Sequence, residues 1–142
     1  MSELILISVK DRYVKEMLSG RKTIELRKSA PKAVAGDTLI IYTTQPKKAI
    51  TAIAIVKQII KCEPEEMWRL YHDRLGIDKT GFDDYYKNNK KAVGIELSEV
   101  IPLNGEILLS AIKLIHPSFT PPQTFKYLNK FTALRDFKHL IT

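Results

Sequence analysis

Residues 49–60, Ala-Ile-Thr-Ala-Ile-Ala-Ile-Val-Lys-Gln-Ile-Ile, constrain the fold more than any other stretch of this chain. Ile50, Ile53, Ile55, Val56, Ile59 and Ile60 crowd it with β-branched aliphatics, and it contains neither Gly nor Pro. Such a run reads as a strand about twice the usual length of roughly 5–6 residues, too long for a compact βαβ unit. Shorter runs at Leu4–Val9, Thr23–Arg27, Thr38–Thr43 and Ala92–Ile101 read as further strands. Helical spacing follows Asp11, a candidate N-cap, with Val14, Met17 and Leu18 on one stripe, and Gly20 ends that helix in the left-handed conformation. Pro64 opens a second helix with Glu65 and Glu66 at its positive end and Met67, Leu70 and Tyr71 on its apolar stripe, closed by Gly76. Residues 80–87 form a third short helix; 106–115 fit strand and helix equally. Pro121-Pro122 opens a helical segment containing Phe125, Tyr127 and Leu128, and a last helix covers 134–141. Strands with interspersed helices and no repeat or linker predict one α+β domain over 1–142, a small mixed β-barrel of five to seven strands with flanking helices, the C-terminal helix at about 130–142 being an extension.

Charge narrows the partner. The chain carries 23 Lys+Arg against 16 Asp+Glu, a formal +7. Residues 1–61 hold 12 basic and 5 acidic side chains, 62–106 hold 6 and 10, and 107–142 hold 5 and 1. A basic start and end around an acidic middle predict one positive face suited to a polyanion. Cys62 is the only cysteine, which removes a disulfide framework and a Cys-based zinc site. His72, His116 and His139 stand at no ligand spacing, so neither metal nor cofactor is expected. The N-terminal apolar run is too short for a signal peptide and no stretch approaches the ~20 apolar residues of a membrane helix, giving a cytoplasmic, membrane-free expectation.

The segment Ile7-Ser-Val-Lys10 followed by Met17-Leu-Ser-Gly-Arg-Lys-Thr-Ile-Glu-Leu-Arg27 resembles the ASCH family, a branch of the PUA-like superfamily. Its signature Gly-x-Lys-x-x-Glu-x-Arg is met by Gly20, Lys22, Glu25 and Arg27. Gly36–Tyr42, Gly81–Tyr86 with Ala92–Glu96, and Pro121–Tyr127 resemble further family segments, so the likeness spans roughly residues 4–128. The resemblance implies a PUA-like barrel with a cleft beside the first helix, and a role in binding RNA within RNA metabolism or transcriptional or translational regulation.

On a pleated strand Thr23, Glu25 and Arg27 share one face, opposite Ile24 and Leu26, so spacing alone gives a solvent-facing ion pair worth about 0–1 kcal/mol. The family context instead gathers them in the cleft, where Arg27 grips a phosphate bidentately and Glu25 orients it or accepts a base amino group. Lys22 joins them only if the strand starts after it, which a bend at Gly20 permits. Lys10, Arg12, Lys47, Gln123 and Lys126 are candidates for the rim of a nucleic-acid or ligand site; Tyr42 is either a base platform or core. One ASCH-like subfamily hydrolyses N4-acetylcytidine and resembles the chain at Gly20–Ile24. There a threonine stands where this chain has Glu25, so that activity does not carry over intact. The alternative to RNA binding is a metal-independent hydrolase acting on a modified nucleoside or on RNA, with Lys22 and Glu25 in the site. A nucleotide-like small molecule in the same cleft is a further partner class.

Overall fold

A computed structural model describes residues 3–128. The chain order is β1 (Leu4–Val9), α1 (Asp11–Leu18), β2 (Ile24–Arg27), β3 (Thr38–Thr43), β4 (Ala49–Cys62), α2 (Pro64–Tyr71), α3 (Lys79–Tyr86), β5 (Ala92–Leu108), α4 (Leu109–Ile115) and β6 (Phe125–Leu128), with a single 3₁₀ turn at His72–Arg74. The strands form one mixed sheet in the order β2-β5-β4-β3-β1-β6. Only β1 and β3 run parallel, and α1 and β2 lie in the crossover between them. The 14-residue β4 and 17-residue β5 pair over most of their lengths, so they bend to stay in register. The ladder slips near Ile50/Ala52, where Pro102 faces Ala52 without an N–H to donate. Curling brings the two edges of the sheet together: Arg27, ending edge strand β2, donates through Nη2 to the Ser8 carbonyl on β1 at 2.6 Å. Its Nη1 donates to the Thr124 carbonyl just before β6 at 3.2 Å. A side chain thus spans the seam that backbone pairing leaves open.

Three apolar clusters hold this frame. Ile5, Ile7, Leu39, Ile41 and Ala52 pack under Val14 and Met17 of α1. Leu6, Ile40, Ile50 and Leu128 pack against Ile112 of α4. Ile24, Met67, Leu75, Phe82 and Tyr86 join β2 to α2 and α3. The two faces of β1 feed the first two clusters, as its near-continuous apolar run requires.

Several expectations need correction. Lys10, not Asp11, occupies the N-cap of α1, and no side chain caps it; Asp11 sits in the first turn and pairs with Lys15. Strand β5 runs seven residues past Ile101, and the ambiguous stretch divides at Leu108 into strand and α4. The segment after Pro121-Pro122 is a strand, not a helix. Ile5 and Ile7 on β1 would otherwise leave a buried edge with unpaired N–H and C=O groups, so Tyr127 and Phe125 pair with them. That tertiary demand outweighs the helical spacing of three residues. The helix expected at 134–141 lies outside the described residues.

Candidate functional site

Local sequence explains how Lys22 enters the site. Gly20, at φ +85°, reverses the chain after α1, and the Lys22 N–H donates to the Glu16 carbonyl at 3.0 Å. Strand β2 starts two residues later, at Ile24, so the pleat does not force Lys22 away from Glu25. Lys22 instead bridges to Leu75, and its Nζ donates to the Leu75 carbonyl at 2.6 Å while standing 3.4 Å from Glu25 Oε1. Gly76 makes room for this stem: at φ +64°, any Cβ there would lie 2.8 Å from the Lys22 Cβ.

Glu25 is shared between two cations. Arg27 donates to Glu25 Oε2 from Nε at 3.1 Å and from Nη2 at 2.6 Å, while Lys22 approaches the other oxygen. The three residues expose only 2%, 5% and 8% of their surface (Lys22, Glu25 and Arg27), so this is no solvent-facing ion pair. Burial lowers the pKa of the Lys22 ammonium; the Glu25 carboxylate opposes that shift and the nearby Arg27 charge adds to it. The Nε/Nη2 edge of Arg27, the edge suited to a bidentate phosphate, already faces Glu25.

A cavity of about 430 Å³ opens onto this triad. Lys10, Lys22, Glu25, Arg27 and Gln123 line it, as does Tyr13 on α1, whose ring lies 5.2 Å from Lys22 Nζ. Tyr85 on α3 is a further wall, and burial raises its phenol pKa against the opposing Arg27 charge. Exposed Lys28 stands 4.8 Å from the Tyr85 ring centroid. The Pro121–Thr124 segment forms the opposite side, pinned where Ser8 Oγ donates to the Pro122 carbonyl at 2.6 Å.

The other candidates lie elsewhere. Tyr42 is core, 4% exposed beside Ile50 and Leu128, and offers no stacking face. Lys47 pairs with Glu106 at 2.6 Å on an exposed turn. Lys126, on β6, stands over the Phe119 ring. Arg12 reaches the cavity only through Tyr13, to whose hydroxyl it donates at 3.1 Å. Sequence reasoning missed Tyr13, Lys28, Tyr85 and Thr124. Tyr13 carried a usable signal, three residues after Lys10 on the first turn of a helix leading to the Gly20 bend; Tyr85 was separable from Tyr86 only by knowing which face of α3 is buried. Among the described residues no group of His, Cys, Asp and Glu could hold a metal ion, and no helix is long and apolar enough to cross a membrane.

The sequence profile of DUF365, described as a domain of unknown function, matches residues 4–112. The chain belongs to this family. In sequence and fold it is also similar to ASCH domains of the PUA-like type. It is 28% identical over 124 residues to a protein of Zymomonas mobilis subsp. mobilis named an ASCH domain-containing ribonuclease, covering 87% of this chain and 83% of that one. The crystal structure of ASCH from Zymomonas mobilis superposes with a TM-score of 0.89 at 26% identity, over 98% of this chain and 96% of that chain. The N-terminal domain of McrB from Staphylothermus marinus shares the fold alone, at TM-score 0.61 and 10% identity over 97% and 94% of the two chains.

Proposed function

We propose that this DUF365 domain binds single-stranded RNA and seats one nucleotide in the cavity between α1, β2 and α3. The observation that carries the reading is the cavity itself, which joins two phenol walls, Tyr13 and Tyr85, to the Lys22–Glu25–Arg27 floor and the exposed Lys10 and Lys28. Its volume falls in the range of about 300–1,000 Å³ that suits small organic ligands. An aromatic wall contributes roughly 1–3 kcal/mol to a stacked base without regard to sequence. Lys10 and Lys28 supply the charge for phosphate, since the fork of Arg27 is held by Glu25. The Glu25 carboxylate is the acceptor for an exocyclic base amine. The name of the Zymomonas mobilis relative supports RNA as the polymer.

The test is fluorescence anisotropy of a labelled RNA oligonucleotide at several salt concentrations. Tyr85→Ala should weaken binding by about 1–3 kcal/mol at unchanged salt slope. Lys10→Gln should lower the slope by about 0.7. Wild-type protein that binds free nucleoside tightly with flat salt dependence, and RNA no better, would replace the polymer by a nucleotide-like small molecule.

A second reading, metal-independent hydrolysis of RNA or of a modified nucleoside in the same cavity, is favoured by Lys22. Its lowered pKa makes the neutral amine available closer to neutrality than in an ordinary lysine, and a neutral amine can accept a proton from a hydroxyl or water. Product formation from RNA or from N4-acetylcytidine in the presence of EDTA, rising with pH and abolished in folded Lys22→Met, would establish it. Intact substrates after prolonged incubation leave the domain a binder.

A further inference from the structure

A second groove continues the basic surface away from the cavity, and its lysines have no carboxylate partner among the described residues. It has a volume of about 610 Å³ and is lined by Lys28, Lys61, Lys90 and Lys91, with Glu63 the one acid on its wall. Lys28 borders both this groove and the Tyr85 side of the cavity, so the two depressions share a rim. Strand register explains the convergence. Arg27 pairs with Val93, and Val93 pairs with Lys61, so the end of β2, the start of β5 and the end of β4 finish side by side. Neighbouring strands lie about 4.8 Å apart, which sets the Lys28 and Lys61 rows roughly 10 Å from one another across β5. Lys90 and Lys91 enter the same edge from the turn before β5.

Several exposed cations elsewhere are paired, Lys15 with Asp11, Arg21 with Glu16, Lys47 with Glu106, Arg69 with Glu66 and Lys79 with Asp83. Lys10, Lys32, Lys48, Lys87 and Lys113 are exposed without an ion pair, but none of them lines this groove. Lys61, Lys90 and Lys91 are exposed and take part in none of these pairings. Three unneutralised ammonium groups, joined through Lys28 to an aromatic-walled cavity, form an anion path with a direction. We infer that this groove carries the sugar-phosphate backbone of the nucleotides flanking the one in the cavity, making the RNA footprint several nucleotides long. The inference rests on the nucleotide-binding reading of the cavity and adds to it a second, purely electrostatic subsite. Lysine suits this role because point charges on flexible stems follow a backbone without reading its sequence.

Cys62 lines the groove, is half-buried, and is the only cysteine in the chain, so it reports on occupancy without an added label site. The experiment compares wild type, the exposed-face triple variant Lys61→Gln/Lys90→Gln/Lys91→Gln and the cavity variant Tyr85→Ala. Each is titrated with a mononucleotide and with an RNA of eight or more nucleotides between about 50 and 200 mM salt. The triple variant should keep wild-type mononucleotide affinity, bind the oligonucleotide on the order of tenfold more weakly, and lose about two units of salt slope, near 0.7 for each phosphate contact on a single strand. The oligonucleotide, and not the mononucleotide, should slow maleimide labelling of Cys62. An unchanged oligonucleotide slope in the triple variant, or unprotected Cys62, overturns the groove and leaves the cavity reading intact. Loss in the triple variant with none in Tyr85→Ala overturns the cavity reading and leaves the groove. Wild-type protein that binds no RNA overturns both.

Discussion

Two buried carboxylates sit on adjacent strands of this sheet, and the protein treats them in opposite ways. Glu25 on β2 faces Ile95, while Glu96 on β5 faces Ile24, so their side chains project to opposite faces. Both are buried and both meet an arginine. Glu96 accepts from Gln58 Nε2 at 2.6 Å and from Arg74 Nη2, with Lys57 at 3.9 Å. Arg74 is 36% exposed and Lys57 is more so, so these cations keep much of their hydration and the cluster reads as a surface clamp with one buried acid. Around Glu25, both cations, the Lys22 ammonium and the Arg27 guanidinium, are buried together with the carboxylate they share. Desolvating three ions for a single contact is expensive, and Coulomb attraction repays it only with well-made hydrogen bonds. The carbonyls of Ser8, Leu75 and Thr124 supply those bonds. A cavity opens on the costly cluster, the pattern expected where charge placement serves a ligand.

The sharpest way to break this contrast is to delete one arginine from each cluster. Arg27→Ala should lower unfolding free energy by about 3–5 kcal/mol, since it leaves Glu25 with Lys22 alone and removes one donor each from the Ser8 and Thr124 carbonyls. Arg74→Ala should cost about 1–2 kcal/mol, because water replaces an exposed guanidinium and Gln58 remains. Equal losses in urea denaturation would erase the distinction. Next in size, Gly76→Ala should cost about 1–3 kcal/mol through its positive φ. Because it also pushes on the Lys22 stem, it should weaken RNA binding where Arg74→Ala does not.

A pH titration sharpens the comparison from the Glu96 side. The Arg74 bond first, then the Gln58 bond, hold the Glu96 pKa below its ordinary 4.5. The stability it contributes is therefore present above that ordinary value and lost as pH falls through the lower folded one. Glu96→Gln should flatten the acid limb of the stability curve below about pH 4.5. The smallest effect is expected at Tyr86, whose hydroxyl donates to the Arg27 carbonyl at 2.9 Å. Tyr86→Phe should cost about 1 kcal/mol near neutrality. Burial raises the Tyr86 pKa strongly, so wild-type stability should decline once pH passes the free phenol value of about 10, and less so in the phenylalanine variant.

The division between the clusters also marks what was legible in the sequence. Strands β1 and β3 appear with the bounds that their apolar runs imply, and the Gly20 bend with a late start to β2 was readable from one glycine and the alternation after it. Burial of Lys22, Glu25 and Arg27 was not readable, because the groups that enclose them come from distant segments: Leu75 and Gly76 after α2, Thr124 before β6. The misassigned stretch at Phe125–Leu128 failed for the same reason, since an exposed β1 edge is a property of the assembled sheet. Glu96 passed unnoticed because nothing local distinguishes a clamped carboxylate from a solvated one. Lys90 and Lys91 gain meaning only beside Lys28 and Lys61.

The guanidinium that bridges the two sheet edges makes residue 27 a keystone whose architectural and chemical duties cannot be separated by one substitution. Lysine there would keep the charge yet offer three hydrogens from a single atom, where the guanidinium makes four donations from three nitrogens to the Glu25 carboxylate and the carbonyls of Ser8 and Thr124. Replacement at this position therefore slackens the frame and disturbs the pocket together. An inactive Arg27 variant reports on catalysis or recognition only when its melting curve matches the parent.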